Sequence, residues 1–409
     1  MNTDEKILIS LLKRSISGNS WDESTVSEGI IALAESHKVS SLLYDLLHSK
    51  QSQIPLRLQK ESEKSVLQFW HLFTLTKQLC DLLNQNGIKV AVLKGISVSQ
   101  DYPVMEYRKS GDVDLLISKT DIDNAERVLT TAGYRAEEDQ KALHHIAFRS
   151  PDEIEVEVHT LFAEPFDNKE TNRKLEYYSQ EALNHIVPVS MEGVEFPFLD
   201  DEYQALSLIL HMLQHYLRAG FGVKLLTDWV VFWNNRYTPK LYKQYLLLIK
   251  DLKIDGFSDM VGSVCIRYLG LNAEHMPCNL IEENICEAFL DEVLKGGEFG
   301  RSSTDRMVSL RKNSLFEYIR EFHHQTCLNF PNASKIFIFW PVLWIITLIR
   351  FLINNRKIRH TTLHDVLKTA GDRSRINEKI HLFSEEIIII DKKIKNDWNT
   401  LYTSYKFMF

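Results

Sequence analysis

The sequence predicts an α+β fold, a small mixed β-sheet enclosed by helical regions on its N-terminal and C-terminal sides. Three observations carry this reading. Before residue 88, apolar residues recur at i, i+3, i+4 and i+7; from 88 to 165, short β-branched runs alternate with one helix; beyond 165, helical spacing returns. A chain of 409 residues, 44% hydrophobic and 25% charged, is long enough to bury a large core and reads as globular.

The elements follow in order. In the N-terminal region, 1–87, the segments "ILISLLKRSI", "GIIALAESHKVSSLLYDLL" and "VLQFWHLFTLTKQLCDLLNQNG" have amphipathic helical spacing, and Gly87 ends the last as a C-cap. In the core, 88–165, "IKVAVL" and "DVDLLI" read as strands. "TDIDNAERVLTTAGY" reads as a helix capped by Thr120 or Asp121, and "HHIAFRS" and "IEVEVHTLF" as two more strands. In the C-terminal region, 166–409, "DEYQALSLILHMLQHYLRAG" and "KLLTDWVVFWNN" restore the helical period, which then dominates.

Charge narrows the function. A net charge of -7 and a pI near 6.1 argue against a broad nucleic-acid surface, which would need clustered Lys and Arg against phosphates. Five cysteines (Cys80, Cys265, Cys278, Cys286, Cys327) form no CxxC pair and no metal-ligand spacing, as expected of core or bystander thiols kept reduced in a cytosol. The segment "MNTDEKILISLLKRSI" does not look like a signal peptide, so the expected location is cytoplasmic.

The chemistry belongs with "VLKGISVSQDYPVMEYRKSGDVDLLI". Side chains alternate faces along a strand, so Asp112 and Asp114 point one way while Val113 and Leu115 point into the core. Paired carboxylates repel unless a cation compensates them, and hard oxygen ligands suit Mg²⁺ or Mn²⁺. In "DEIEVEVHTLF", Glu153, Glu155 and Glu157 share one face, and a third ligand is expected there, Glu157 or its substitute Glu155. Upstream, Gly95 sits in a strand-to-helix turn whose N–H groups can approach phosphate oxygens, with Lys94 and Arg108 as counter-charges.

The succession "LKG", "YR", "GDVDLLI", "EVEVHTLF" resembles the uncharacterised nucleotidyltransferase family of the DNA polymerase beta-like superfamily, whose members read LKG…R…GDIDLLV…hEhHw. "ALAESHKVSSLLYDLL" looks like that family's N-terminal helical segment, and "LILHMLQHYLRAGFGVKLLTDW" like its later H-x3-H…D helix pair. The resemblance implies a two-metal transfer of a nucleoside monophosphate from a nucleoside triphosphate to an unidentified acceptor, with release of pyrophosphate. Asp112, Asp114 and Glu157 would hold the metals, with Glu157 near the attacking hydroxyl. Gly95 would cradle phosphates, and Lys94 and Arg108 would neutralise the leaving pyrophosphate. The alternative is a catalytically weak nucleotide-binding or regulatory protein that keeps the fold.

Other polar residues receive structural expectations. His211 and His215, four apart on an apolar helix, lack the Glu of HExxH and read as structural or pocket residues rather than metal ligands. His159 is expected to point away from Glu157 and to pack or hydrogen-bond; Asp228 is expected to pair with His211, His215 or Lys224; His144 and His145 are expected to be exposed. Near the C-terminus, Ile336 to Ile353 is almost continuously apolar, broken by Thr347 and Arg350 and followed by Arg356, Lys357 and Arg359. Three readings stay open for 336–353: a buried helix, peripheral contact with a membrane surface, or a span.

Overall fold

Short apolar runs bounded by turn residues become the strands of a single mixed sheet in the computed structural model. It describes residues 1–18, 26–48, 54–137, 144–166, 168–217, 220–276, 278–297, 315–330, 333–354, 374 and 376–380. The strands are β1 Val90–Val92, β2 Asp112–Ile117, β3 Arg135–Ala136, β4 His145–Arg149, β5 Glu155–His159, β6 Ile186–Met191 and β7 Val194–Leu199. Their order across the sheet is β3-β4-β5-β2-β1-β7-β6. The central pair, β2 and β5, runs parallel, while β1 is antiparallel to β2 and parallel to β7.

The hairpin of β6 and β7 lies beyond residue 165, in the stretch that sequence reading gave to helices. Its turn is Glu192-Gly193, with φ of +49° and +76°, the left-handed pair that a two-residue hairpin requires. "VSMEGVEF" carries that signal in its alternating apolar residues around a Glu-Gly turn.

Helices cover both faces of the sheet. α1 Thr3–Ile16, α2 Glu28–Ser36, α3 Ser40–His48 and α4 Leu56–Gln85 form the N-terminal set. Next come the four-residue α5 Ile96–Ser99, α6 Ile122–Thr131 and α7 Lys169–Glu181. α8 Asp201–Leu217, α9 Val223–Arg236, α10 Pro239–Asp251, α11 Asp255–Val264, α12 Glu283–Gly296, α13 Leu315–Asn329 and α14 Trp340–Asn354 complete the order. Asp121 occupies the N-cap position of α6 but makes no side-chain cap; Ser118 instead accepts from the Thr120 N–H in a short 3-10 turn. Gly87, at φ +74°, follows α4 as expected.

One sheet face is apolar throughout. Val113, Leu115, Ile117, Val156 and Val158 pack there against Phe69, Phe73 and Leu79 of α4 and Val128 and Leu129 of α6. Each such buried side chain contributes about 1.5–3 kcal/mol. The opposite face holds the acidic side chains and is roofed by α8 and α9, whose Leu206, Ile209, Leu213, Trp229 and Trp233 belong to a second core shared with α1 and α12. Polar groups confined there need partners of their own.

Most side chains of the apolar stretch 336–353 are exposed. Among the described residues, no helix is long and apolar enough to cross a membrane. α14 buries only one side, through Leu343 and Thr347, and Trp344 Nε1 donates to His323 Nδ1 of α13 at 3.2 Å. Ile336, Phe337, Ile338, Val342, Ile345 and Ile349 are all at least half exposed.

Candidate active site

Register brings the carboxylates together. β2 and β5 align Asp112 with Glu155 and Asp114 with Glu157, so strand alternation projects all four from the face away from the α4 core. Asp114 is 3% exposed, and its carboxylate lies within 4.8 Å of ligand atoms from Glu157 and His159. Asp112 accepts a long bond from Ser110 Oγ at 3.4 Å. Burial, and then the charge of Asp114, push the Asp112 carboxyl above its ordinary range. Glu155 is turned outward to Arg149, whose Nη2 lies 3.1 Å from it. Of the two glutamates considered for a third ligand, Glu157 is the one placed against Asp114.

Buried negative charge is met by Lys94 and His159. Lys94 Nζ, behind β1, sits 2.8 Å from Asp114 Oδ1 and 3.2 Å from His211 Nδ1. Its burial disfavours charge, yet Asp114, Glu157 and Asp112 hold its pKa above the usual lysine value. His159 Nε2 lies 2.9 Å from Asp114 Oδ1 and 3.0 Å from Glu157 Oε2. The expectation that His159 points away from Glu157 is therefore wrong: the residues are two apart on one strand and share a face. Against the opposing effect of burial, both carboxylates raise the His159 pKa. In return Lys94 and His159 overcome burial and bring Asp114 down to about 2; Glu157 is depressed as well, His159 again outweighing burial. Hard oxygen donors in such a setting suit a divalent cation, and Asp114, Glu157 and His159 carry ligand atoms close enough together to hold one, with Asp112 on the same face of the sheet.

Gly95 makes the turn between β1 and α5 at φ +65° and ψ −113°. A Cβ there would meet Ser110 Oγ only at 3.5 Å, so backbone conformation, not space, calls for glycine. Gln204 of α8 fixes the turn by donating to the Leu93 carbonyl at 2.9 Å. Arg108 lies deeper. Its Nε and Nη2 grip Asp228 at 3.0 and 2.8 Å, Tyr102 OH donates to Asp228 at 2.7 Å, and Nη1 is a buried donor without a hydrogen-bond partner. Asp228 thus pairs with Arg108 and Tyr102 rather than with His211, His215 or Lys224.

Histidines line the other side. His145 is directly opposite His159 in the β4–β5 pair, and His144 is 2% exposed, which corrects the expectation that both histidines are solvated. His211 and His215 meet edge to face with centroids 4.4 Å apart, and burial, with Lys94 next, drives both pKa values down, His215 to about 4. Tyr102, Gln204 and Glu164 are not singled out by the sequence reading: the first two lie inside stretches read for other residues, and Glu164 follows the last strand segment. Tyr102, six residues before Arg108, was the most accessible of the three to a search for polar residues between the motifs.

The family model described as uncharacterised nucleotidyltransferase matches residues 24–259. Among solved structures, the chain is similar to an antigenic nucleotidyltransferase-like protein from Paracoccidioides brasiliensis, at 17% identity over 44% of this chain and 87% of that one, with a TM-score of 0.30. No curated protein matches.

Proposed function

The chain belongs to the uncharacterised nucleotidyltransferase family, and from that premise we propose that it is a metal-dependent enzyme that transfers a nucleoside monophosphate from a nucleoside triphosphate to an acceptor hydroxyl. The observation that carries the reading is the β2–β5 register, which pairs Asp114 with Glu157 and leaves Asp112, paired with Glu155, on the same polar face. In the reaction, the acceptor oxygen bonds to the α-phosphorus, the bond to the bridging oxygen breaks, pyrophosphate leaves, and the hydroxyl proton is lost. Two Mg²⁺ or Mn²⁺ ions held by Asp112, Asp114 and Glu157 would supply Lewis-acid charge at the triphosphate and lower the pKa of the hydroxyl.

The chain's own residues supply the rest. Lys94, paired with Asp114 in this structure, is within side-chain reach of the turn at Gly95 and becomes a phosphate counter-charge once Asp114 has another cation. Gly95 presents backbone N–H groups to phosphate oxygens. Arg108 is held by Asp228, leaving Nη1 as the donor for the leaving pyrophosphate. His159 fixes the Asp114 and Glu157 carboxylates in their orientation.

Incubating the chain with each nucleoside triphosphate, Mg²⁺ and candidate acceptors, and assaying pyrophosphate, tests the proposal. Pyrophosphate release that disappears in Asp112→Asn supports it. Nucleoside diphosphate as product would indicate phosphoryl transfer. Metal-independent nucleotide binding without turnover would favour the fold-retaining regulatory alternative.

For location, the reading is a cytoplasmic protein that touches an anionic membrane surface through 336–353. Its exposed apolar side chains are flanked by exposed Lys335 and Arg350, and the sequence continues with Arg356, Lys357 and Arg359. Apolar area together with basic charge suits a bilayer interface rich in anionic lipid.

A further inference from the structure

A second set of ligating side chains stands where β4 meets β5. Ring nitrogens of His144, His145 and His159 lie within 4.8 Å of one another. His144 and His159 are 2% and 4% exposed. His144 Nε2 and His145 Nδ1 are 2.8 Å apart, and Gln214 Nε2 is 3.5 Å from His144 Nε2. A second, independent observation points to a ligand: His159 Nδ1 is buried with no hydrogen-bond partner, although the Nε2 of the same ring serves Asp114 and Glu157. Burying an unsatisfied ring nitrogen costs about 1–3 kcal/mol.

Carboxylates lie within 4.0 Å of two of the rings. Metal-bound imidazoles are commonly backed by carboxylates that orient the ring. Here Glu164, 12% exposed, lies 3.9 Å from His144 Nδ1, and Glu157 lies 3.7 Å from His145 Nε2. The donor set also differs from that of Asp112 and Asp114. Imidazole nitrogens favour zinc-class ions, whereas Mg²⁺ selects oxygen and keeps its water.

We propose that His144, His145 and His159 form a binding site for a zinc-class divalent ion, adjacent to and chemically distinct from the carboxylate centre. The site does not rest on the transferase reading, because it needs only the imidazoles, and it is measured without nucleotide. It would place a tightly held cation beside Glu157, with Glu164 as the orienting carboxylate.

The test uses the full chain, stripped with chelator and titrated with Zn²⁺ in excess Mg²⁺, with Co²⁺ as a visible-absorption probe of tetrahedral nitrogen ligation. The expected result is one Zn²⁺ bound despite Mg²⁺, lost in His144→Ala/His145→Ala, weakened about 10–100-fold in Glu164→Gln, and kept in Asp112→Asn. Absence of Zn²⁺ binding in excess Mg²⁺, or binding that survives the double histidine variant, overturns the proposal. X-ray absorption at the zinc edge of the native chain decides independently of how the variants fold: an imidazole-rich shell supports the site, and an oxygen-only shell overturns it. A native chain that binds Zn²⁺ but releases no pyrophosphate with any nucleoside triphosphate would count against the transferase reading alone.

Discussion

Arg108 and Asp228 are joined by two parallel hydrogen bonds, 3.0 and 2.8 Å long, between side chains no more than 5% exposed. The pair ties the loop ahead of β2 to α9, so the segment entering the Asp112–Asp114 strand is anchored to the helical roof. Tyr102 and Thr227 extend the network, with Tyr102 OH 2.9 Å from Thr227 Oγ1. Removing one partner leaves the other as a buried uncompensated charge. Asp228→Ala is expected to destabilise the fold by about 3–5 kcal/mol in denaturant unfolding. An Arg108→Met/Asp228→Leu double variant should recover most of that, because the desolvation penalty goes with both charges. Tyr102→Phe should cost only about 1 kcal/mol. Equal losses in the single and double variants would contradict the assignment.

Substitution within the carboxylate centre should separate catalysis from stability. Asp112→Asn and Glu157→Gln are each expected to lower pyrophosphate release by about 10²–10³-fold, the scale of removing one preorganised electrostatic contact. The fold should persist, as read by circular dichroism. Turnover within a factor of two of the native chain would remove these residues from the reaction.

Lys94 offers a separate handle on the metal. It neutralises Asp114 when no ion is bound, so it competes with a cation for that carboxylate. Lys94→Met should therefore gain more thermal stability from added Mg²⁺ than the native chain does, since ligand stabilisation grows with affinity as RT ln(1 + [L]/Kd). Its turnover should still fall, because the phosphates lose a counter-charge. A Mg²⁺-induced rise in Tm no larger than the native one would show that Lys94 and the ion do not share Asp114.

What the sequence made legible was local. Alternation alone put Asp112 opposite Val113 in facing, and the helical period located α8 and α9. Pairing was not legible: nothing in "EVEVH" states that Glu157, rather than Glu155, lies beside Asp114, because that depends on the offset between two parallel strands whose paired residues are 43 apart. Long-range partners were likewise hidden. Arg108 is 120 residues from Asp228, and Lys94 is 117 from His211. The hairpin at 186–199 was missed because Pro188 and Pro197 interrupt both strands, while the Glu-Gly turn that marks it is a single dipeptide.

The apolar surface of α14 should bind lipid. Vesicles of anionic lipid are expected to float with the chain, neutral vesicles to float with far less of it, and rising salt to weaken the association, since basic residues contribute about 1 kcal/mol each near an anionic surface. Ile345→Asp/Ile349→Asp, on the exposed side and away from Leu343 and Thr347, should abolish flotation without unfolding the protein. Flotation unchanged by the double substitution, or none with anionic vesicles, would refute the contact; a concentration-dependent dimer lost in the same variant would identify a second copy of the chain as the occupant.

Acid should destabilise the protein through its buried histidines. Burial foremost brings the pKa of His145 and His215 down to about 4, Lys94 adding to the effect at His215, and His211 is depressed by the same two causes. Between pH 6.5 and about 4 the unfolded chain takes up protons that the fold refuses, so stability falls with pH by up to roughly 1.4 kcal/mol per unit for each such group. His159 works the other way: its pKa is raised, so its contribution is complete below 6.5 and is lost as pH rises through the folded value. Asp112 is raised too, and its cost appears on raising pH from 3.8 through its folded value, which offsets part of the acid loss. Comparing His215→Gln with the native chain cancels these opposing contributions. With chelator present, the variant should show a shallower fall in unfolding free energy between pH 6.5 and 4.5, by up to roughly 1.4 kcal/mol per unit. Parallel pH profiles for the two proteins would show that His215 titrates in the fold as it does in the unfolded chain.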